Sequence, residues 1–265
     1  MNRIEEKFRY LAQIKKKAFI AYIMAGDPEI ESTKEMIFEL AKSGVDIIEL
    51  GIPFSDPIAD GPVIQRASQR AINSGTNIIK VLKMVSAVRK IVDIPLIGMT
   101  YYNLIFNYGL KRFIADAKIS GLDGLIIPDL PPEEARELIA LCRKRDFCLV
   151  FLLAPTSTEK RIKIISKLSS GFIYYVSVTG VTGIRKKLPA GTISSINTIR
   201  KYTTKPICIG FGLSNPQQLH FVKKIADGAI VGSAIVDIIA RFKGQNERRR
   251  QLRAFVANMV KELKR

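Results

Sequence analysis

Histidine is almost missing from this chain: His220 is the only one among 265 residues. A Ser-His-Asp or Cys-His nucleophile, or a histidine-rich metal centre, has almost no footing, so acid–base chemistry falls to carboxylates. His220 itself sits in NPQQLHFVKK, whose spacing reads as an amphipathic helix, and is expected to be an ordinary helix residue. Cysteine is scarce too. Cys142, Cys148 and Cys208 are odd in number and lack C-x-x-C spacing, which argues against a disulfide framework or zinc site and for buried reduced thiols. No apolar run approaches the ~20 residues that cross a bilayer. The N-terminal stretch MNRIEEKFRYLAQIKKKAF interrupts its apolar residues with charges, unlike a signal peptide. The expectation is a cytoplasmic protein that engages no membrane.

Acids are also in deficit, with 24 Asp plus Glu against 42 Lys plus Arg and a formal net charge of +18. The surplus is densest near the C-terminus, in Glu247-Arg248-Arg249-Arg250 and Lys261-Glu262-Leu263-Lys264-Arg265. Leu252, Phe255, Val256, Met259, Val260 and Leu263 recur there at helical spacing, which describes a helix on a core with a solvated basic side. No recognisable nucleic-acid module accompanies the charge, so no nucleic-acid partner is expected; steering of a small anionic substrate suits the field better.

The apolar fraction, 47%, and the charged fraction, 25%, are those of a folded protein. Short runs apolar on both faces fall at 18–23, 46–50, 95–100, 124–127, 148–153, 172–178, 207–210 and 228–231, as parallel strands covered by helices require. Longer amphipathic segments separate them at 31–43, 63–72 with 78–92, 110–119, 133–145, 159–168, 193–201, 216–225, 234–242 and 249–263. An extra helix is expected over 4–14. Eight such units predict an α/β fold: a single (β/α)8 TIM-barrel domain over residues 1–265, with an extra N-terminal helix and an additional C-terminal one. A doubly wound sheet is the alternative, but no G-x-G-x-x-G follows the first strand.

In such barrels active sites gather at the C-terminal ends of the strands. Glu49 closes the second strand with the parity of Val45 and Ile47, and points into the barrel if they do. A carboxylate in an apolar mouth has its pKa raised toward a value useful for giving and taking protons; the competing reading is a buried Glu held by backbone donors or a basic neighbour. Asp60 follows in the loop, either over the same mouth or as a turn or cap residue beside Gly61-Pro62. Asp56, before Pro57, carries the same turn alternative. Glycines then cluster at successive strand ends: Gly180 and Gly183, Gly210 and Gly212, and Gly232 with Ser233. Small residues and a helix start let backbone N–H groups approach a phosphate. From these residues alone the reaction stays open among isomerisation, aldol chemistry and decarboxylation of a small phosphorylated substrate.

The stretch from Ile48 to Gly61, IELGIPFSDPIADG, resembles the signature of the tryptophan synthase α subunit family. Ala25-Gly26-Asp27-Pro28, Tyr101-Tyr102-Asn103, Pro128-Asp129-Leu130-Pro131, Ala154-Pro155-Thr156, Ser177 to Gly183 and Gly210 to Ser214 extend the likeness in order along the chain. The resemblance implies a lyase of tryptophan biosynthesis that splits indole-3-glycerol phosphate, by a retro-aldol reaction, into indole and glyceraldehyde 3-phosphate. It implies Glu49 as the proton-transfer carboxylate and Asp60 as the partner of the indole N–H. Gly183, Gly212, Gly232 and Ser233 fall on phosphate positions, Tyr174 on a substrate-contacting tyrosine and Phe211 on an apolar wall, and Thr182 lies in a loop, 180–191, that closes over substrate. No metal and no cofactor in this chain are implied. The implied partner is a pyridoxal-phosphate-dependent β subunit in an α2β2 heterotetramer with indole channelling. Loops 53–60 and 101–108, with Pro53, Asp56, Pro57 and Asn103, correspond to the partner-facing surface. Leu104 departs from the proline many relatives carry there, and the strong basicity is unusual for the family.

Overall fold

The computed structural model describes residues 2–176, 191–210 and 212–265. Within them strands run in the order β1 (Ala18–Met24), β2 (Ile47–Gly51), β3 (Leu96–Met99), β4 (Gly124–Ile126), β5 (Cys148–Val150), β6 (Leu152–Leu153), β7 (Ile173–Val176), β8 (Ile207–Gly210) and β9 (Gly228–Val231). The helices are α1 (Arg3–Gln13), α2 (Ile30–Lys42), α3 (Pro62–Asn73), α4 (Ile78–Arg89), α5 (Tyr102–Tyr108), α6 (Leu110–Ser120), α7 (Arg136–Lys144), α8 (Glu159–Leu168), α9 (Thr192–Arg200), α10 (Pro216–Ile225), α11 (Ser233–Arg241) and α12 (Gln245–Lys264).

All strand pairs are parallel, in the order β5-β4-β3-β2-β1-β9-β8-β7-β6. The two ends of that order, β5 and β6, are halves of one run separated by Phe151 alone, so the sheet closes on itself. The expected (β/α)8 barrel is formed, with its fifth strand in two pieces. The break has a local cause: the Phe151 N–H donates to Ser169 Oγ at 3.1 Å, so it is not available to the ladder.

Strand parity sorts the apolar residues into two clusters. Phe19, Ala21 and Ile23 of β1 face the helices, whereas Ala18, Ile20, Tyr22 and Met24 face the barrel interior beside Ile47, Ile97 and Ile230. Ile47 fixes the inward parity of Glu49; Val45, ahead of β2, packs in the outer layer instead. The interior is sealed at the N-terminal ends of the strands by α1, which inserts Ile4, Phe8 and Leu11 and sets Phe8 against Phe172 at 5.6 Å between ring centroids. Asn2 pins that helix. Its Nδ2 donates to the Asp123 and Asp146 carbonyls at 2.7 and 3.0 Å, and its Oδ1 accepts from the Ile4 N–H at 2.9 Å. All three cysteines are buried and free, as expected.

Three local readings change. Residues 102–108, expected as loop, form α5: Asp129 accepts from the Tyr102 N–H at its start, Tyr102 and Phe106 pack at 5.9 Å, and Gly109 ends it at φ 90°. Helix α7 starts at Arg136, not Glu133, because Pro131 and Pro132 hold the preceding residues in turns. The basic side of α12 is not wholly solvated. Arg249 and Arg253 both clamp the buried Glu39 of α2, at 2.8 and 2.6 Å, and buried Arg248 donates to the Phe242 and Lys243 carbonyls. Part of the positive charge is therefore structural. His220 lies exposed on α10 beside Glu262.

Candidate active site

Glu49 stands near the C-terminal end of β2, pointing inward and 1% exposed. Neither of its oxygens has a hydrogen-bond partner among the described residues. The reading in which backbone donors hold this carboxylate is therefore set aside. A buried carboxylate without a partner avoids the desolvation cost of charge by keeping its proton. Burial, helped by the nearby Asp60 charge, raises the Glu49 pKa to about 8.

Asp60 reaches the same cavity from the loop between β2 and α3. The cap of α3 is Gly61, with Pro62 in the first turn, and no side chain serves it, so Asp60 is not a capping residue. Its Oδ2 accepts from the Tyr101 hydroxyl at 3.1 Å, and that hydroxyl accepts from the Ala59 N–H at 3.0 Å. Phe54 stacks on the Tyr101 ring at 5.3 Å. Tyr101 thus anchors both the loop and its carboxylate. Burial lifts the Asp60 pKa to about 6, with the Tyr101 hydrogen bond opposing the rise. Near neutral pH the two carboxyls therefore hold different protonation states, Glu49 acid and Asp60 carboxylate.

The same cavity is lined by Gly212, Gly232 and Ser233, with Tyr22, Ile64, Met99, Tyr174 and Ile230 completing its walls. Gly212 has φ 79°, a left-handed conformation that favours glycine. Ser233 opens α11 after Gly232, and no side chain caps that helix start; both residues line the cavity, and an uncapped helix start is the kind of backbone that can donate to an anion. Tyr174, on β7, is buried, and burial followed by the Glu49 and Asp60 charges holds its hydroxyl well above the usual phenol range. Asp56 is exposed and takes a hydrogen bond from Ser55; Asn103 is exposed on α5, Pro57 half-buried and Pro53 buried. Thr182, Gly183, Phe211 and all but the last residue of the 180–191 loop lie outside the described residues. Among the described residues no three His, Cys, Asp or Glu side chains converge as metal ligands, and no helix is long and apolar enough to cross a membrane.

The apolar walls Ile64, Met99 and Ile230 escape the sequence reading, and so do two polar residues of the site, Tyr22 and Tyr101. The signal for Tyr22 was its inward parity with Ile20 and Met24, which places a phenol rather than an aliphatic group at the mouth.

A parallel barrel whose mouth sets a proton-holding and an ionised carboxyl opposite glycines and an open helix start belongs to the class of enzymes that move protons on small anionic substrates. The family model described as tryptophan synthase alpha chain matches residues 8–264. The tryptophan synthase alpha chain of Geotalea uraniireducens is 49% identical over 257 residues, covering 97% of this chain and 96% of the relative. That of a Thermoanaerobacter species is 46% identical, covering 99% and 100%. The crystal structure of tryptophan synthase subunit alpha from Legionella pneumophila superposes with a TM-score of 0.91 at 36% identity, covering 99% and 98%. The chain belongs to the tryptophan synthase alpha chain family. It is a lyase of tryptophan biosynthesis that cleaves indole-3-glycerol phosphate to indole and glyceraldehyde 3-phosphate, and a β chain is its partner.

Proposed function

We propose that the cleavage is carried by Glu49 and Asp60 with complementary roles. Glu49 enters as the acid and protonates indole C3, which turns the ring into an electron sink. The resulting Glu49 carboxylate takes the proton of the hydroxyl on the adjoining carbon. As that proton leaves, the C–C bond breaks, its electrons restore the indole ring, and the carbon becomes the aldehyde of glyceraldehyde 3-phosphate. Glu49 ends the cycle protonated. Asp60, ionised, accepts from the indole N–H and stabilises the positive charge on the protonated ring. Gly212, Gly232 and Ser233 with the start of α11 receive the phosphate, Tyr174 lines the substrate, and Thr182, Gly183 and Phe211 keep the roles implied by family resemblance. The observation that carries this reading is the buried, unpartnered Glu49 carboxyl in one cavity with Asp60 and the glycine-lined end.

The reading assigns the chemistry of this single barrel domain, residues 1–265, to its own side chains, in the cytoplasm, and pyridoxal phosphate to the β chain. The assembly is an α2β2 heterotetramer in which indole passes directly to the β site. Pro53, Asp56, Pro57 and Asn103 mark the docking surface; support comes from Ile58 and Phe106, which stand 79% and 62% exposed on the loop and helix beside the mouth. The test is indole release from indole-3-glycerol phosphate by the purified chain, alone and with a β chain, beside Glu49→Gln. Slow release that rises with the β chain and vanishes in the variant is expected. No indole under either condition, from a folded chain that still activates the β reaction, would reduce its role to that of an allosteric subunit.

A further inference from the structure

Tyr22 is a polar wall of the cavity that the mechanism above leaves without a task. Its Cα is the register partner of Glu49 across the β1–β2 pair, and the side chain is buried and lines the cavity with Glu49, Asp60 and Gly232. Two glycines fix its ends. A Cβ built on Gly232 would lie 3.4 Å from the Tyr22 Cβ, whereas one built on Gly51 would lie 2.2 Å from the phenol oxygen. Any side chain at position 51 would therefore displace the hydroxyl. The phenol lies lengthwise in the cavity, its root beside the glycine assigned to the phosphate and its hydroxyl at the end of the strand that carries Glu49. A substrate with its phosphate at Gly232 and its ring at the carboxylates would lay its three-carbon chain along this phenol. No hydrogen bond ties the Tyr22 hydroxyl to another described residue.

We infer that the Tyr22 hydroxyl is a third functional group of the site, the hydrogen-bond donor to the oxygen that the substrate carries at the breaking C–C bond. The inference rests on the carboxylate and phosphate assignments just proposed. As Glu49 removes the proton from that oxygen, negative charge builds on it before the carbonyl forms, and a donor already aimed there stabilises the transition state more than the ground state. Tyr22 gives up no proton in this role. Burial, then the Asp60 and Glu49 charges, hold its pKa well above the usual phenol range, so it stays a donor throughout.

The experiment is Tyr22→Phe in the presence of the β chain, with kcat and KM for indole-3-glycerol phosphate measured beside the affinity for indole-3-propanol phosphate. That analogue keeps ring and phosphate but has no hydroxyl on its chain. The expected result is a kcat lowered roughly three- to tenfold, as for one neutral hydrogen bond, with unchanged affinity for the analogue. An unchanged kcat overturns the inference, since the hydroxyl would then be idle. Equal weakening of analogue binding also overturns it, because Tyr22 would then only shape the cavity. An active wild type with inert Glu49→Gln and unaffected Tyr22→Phe removes Tyr22 alone; an inert wild type removes the lyase assignment and Tyr22 with it.

Discussion

At the closed end of the barrel, Asp123 is 1% exposed and accepts from the Arg3 and Arg89 guanidinium groups at 3.1 and 3.0 Å and from the Leu96 N–H at 2.9 Å. Asp46, near the same end, accepts from the Phe19 N–H and the Lys264 ammonium, each at 2.8 Å. At the open end Glu49 is buried to the same degree and accepts from no described residue. The three carboxyls differ in the donors their surroundings supply, not in depth. Bases on α1, α4 and α12 serve the closed end, while the neighbours of Glu49 are tyrosines, Met99, Ile64 and another acid. Pairing turns a buried carboxylate into a fastener. Withholding a pair keeps it an acid with a proton to give.

Glu49→Gln breaks this contrast with the largest expected effect, a fall in kcat of about a hundredfold to ten-thousandfold, the share general acid–base catalysis carries, in a chain that stays folded. Its stability should also respond to pH. The folded pKa of about 8 lies above the ordinary 4.5, so Glu49 contributes stability that is complete below about pH 4.5 and lost as pH rises through about 8. The Gln variant lacks that loss, and its Tm relative to wild type should climb between about pH 5 and about pH 9; a constant difference would show that Glu49 does not titrate there.

Asp123→Ala is the mirror case. Leaving Arg89 without its carboxylate should cost about 3–5 kcal/mol in denaturant unfolding, with kcat near normal at temperatures where the barrel holds. Loss of kcat without loss of stability would erase the division between the two ends. Asp60→Asn sharpens the contrast within the mouth. In the wild type kcat/KM should rise through a limb near pH 6, as Asp60 ionises, and fall through one near pH 8, as Glu49 loses its proton. The variant should lose the lower limb and roughly ten- to a hundredfold in rate, and a preserved lower limb would assign it elsewhere. Gly232→Ala has the smallest expected effect. A methyl there meets Tyr22 at ordinary contact distance, so the fold should tolerate it while glyceraldehyde 3-phosphate binds a few-fold more weakly by calorimetry. Unchanged affinity would move the phosphate away from this glycine.

Much of this is legible in the amino-acid sequence. Short runs apolar on both faces located the strands because each is buried on both sides, and β8, β9, α8 and α10 match the expected bounds to the residue. Glu49 was legible as a carboxylate inside an apolar strand. The misreadings arise where tertiary partners decide local structure. Helix α5 depends on Asp129, from a different unit, to hold its first turn, and the break at Phe151 depends on a serine beyond the next helix. Asp60 could not be told from a cap without Tyr101, which lies 41 positions away. Tyr22 read as core since parity reports which way a side chain points and says nothing of what its tip meets. The C-terminal arginines read as a solvated face because Glu39, their partner, lies 210 and 214 positions earlier.

The α1 seal has a consequence for traffic. Among the described residues, Ile4, Phe8 and Leu11 fill the far end of the interior, so the cavity is a well without an exit past α1, and substrate and products exchange at the C-terminal ends of the strands. Such a well enforces a queue: the group seated deepest leaves after whatever lies above it. The next substrate waits until the lower product has also cleared. A plug of three apolar side chains, remote from any reacting atom, thereby sets which end of the barrel exchanges with its surroundings.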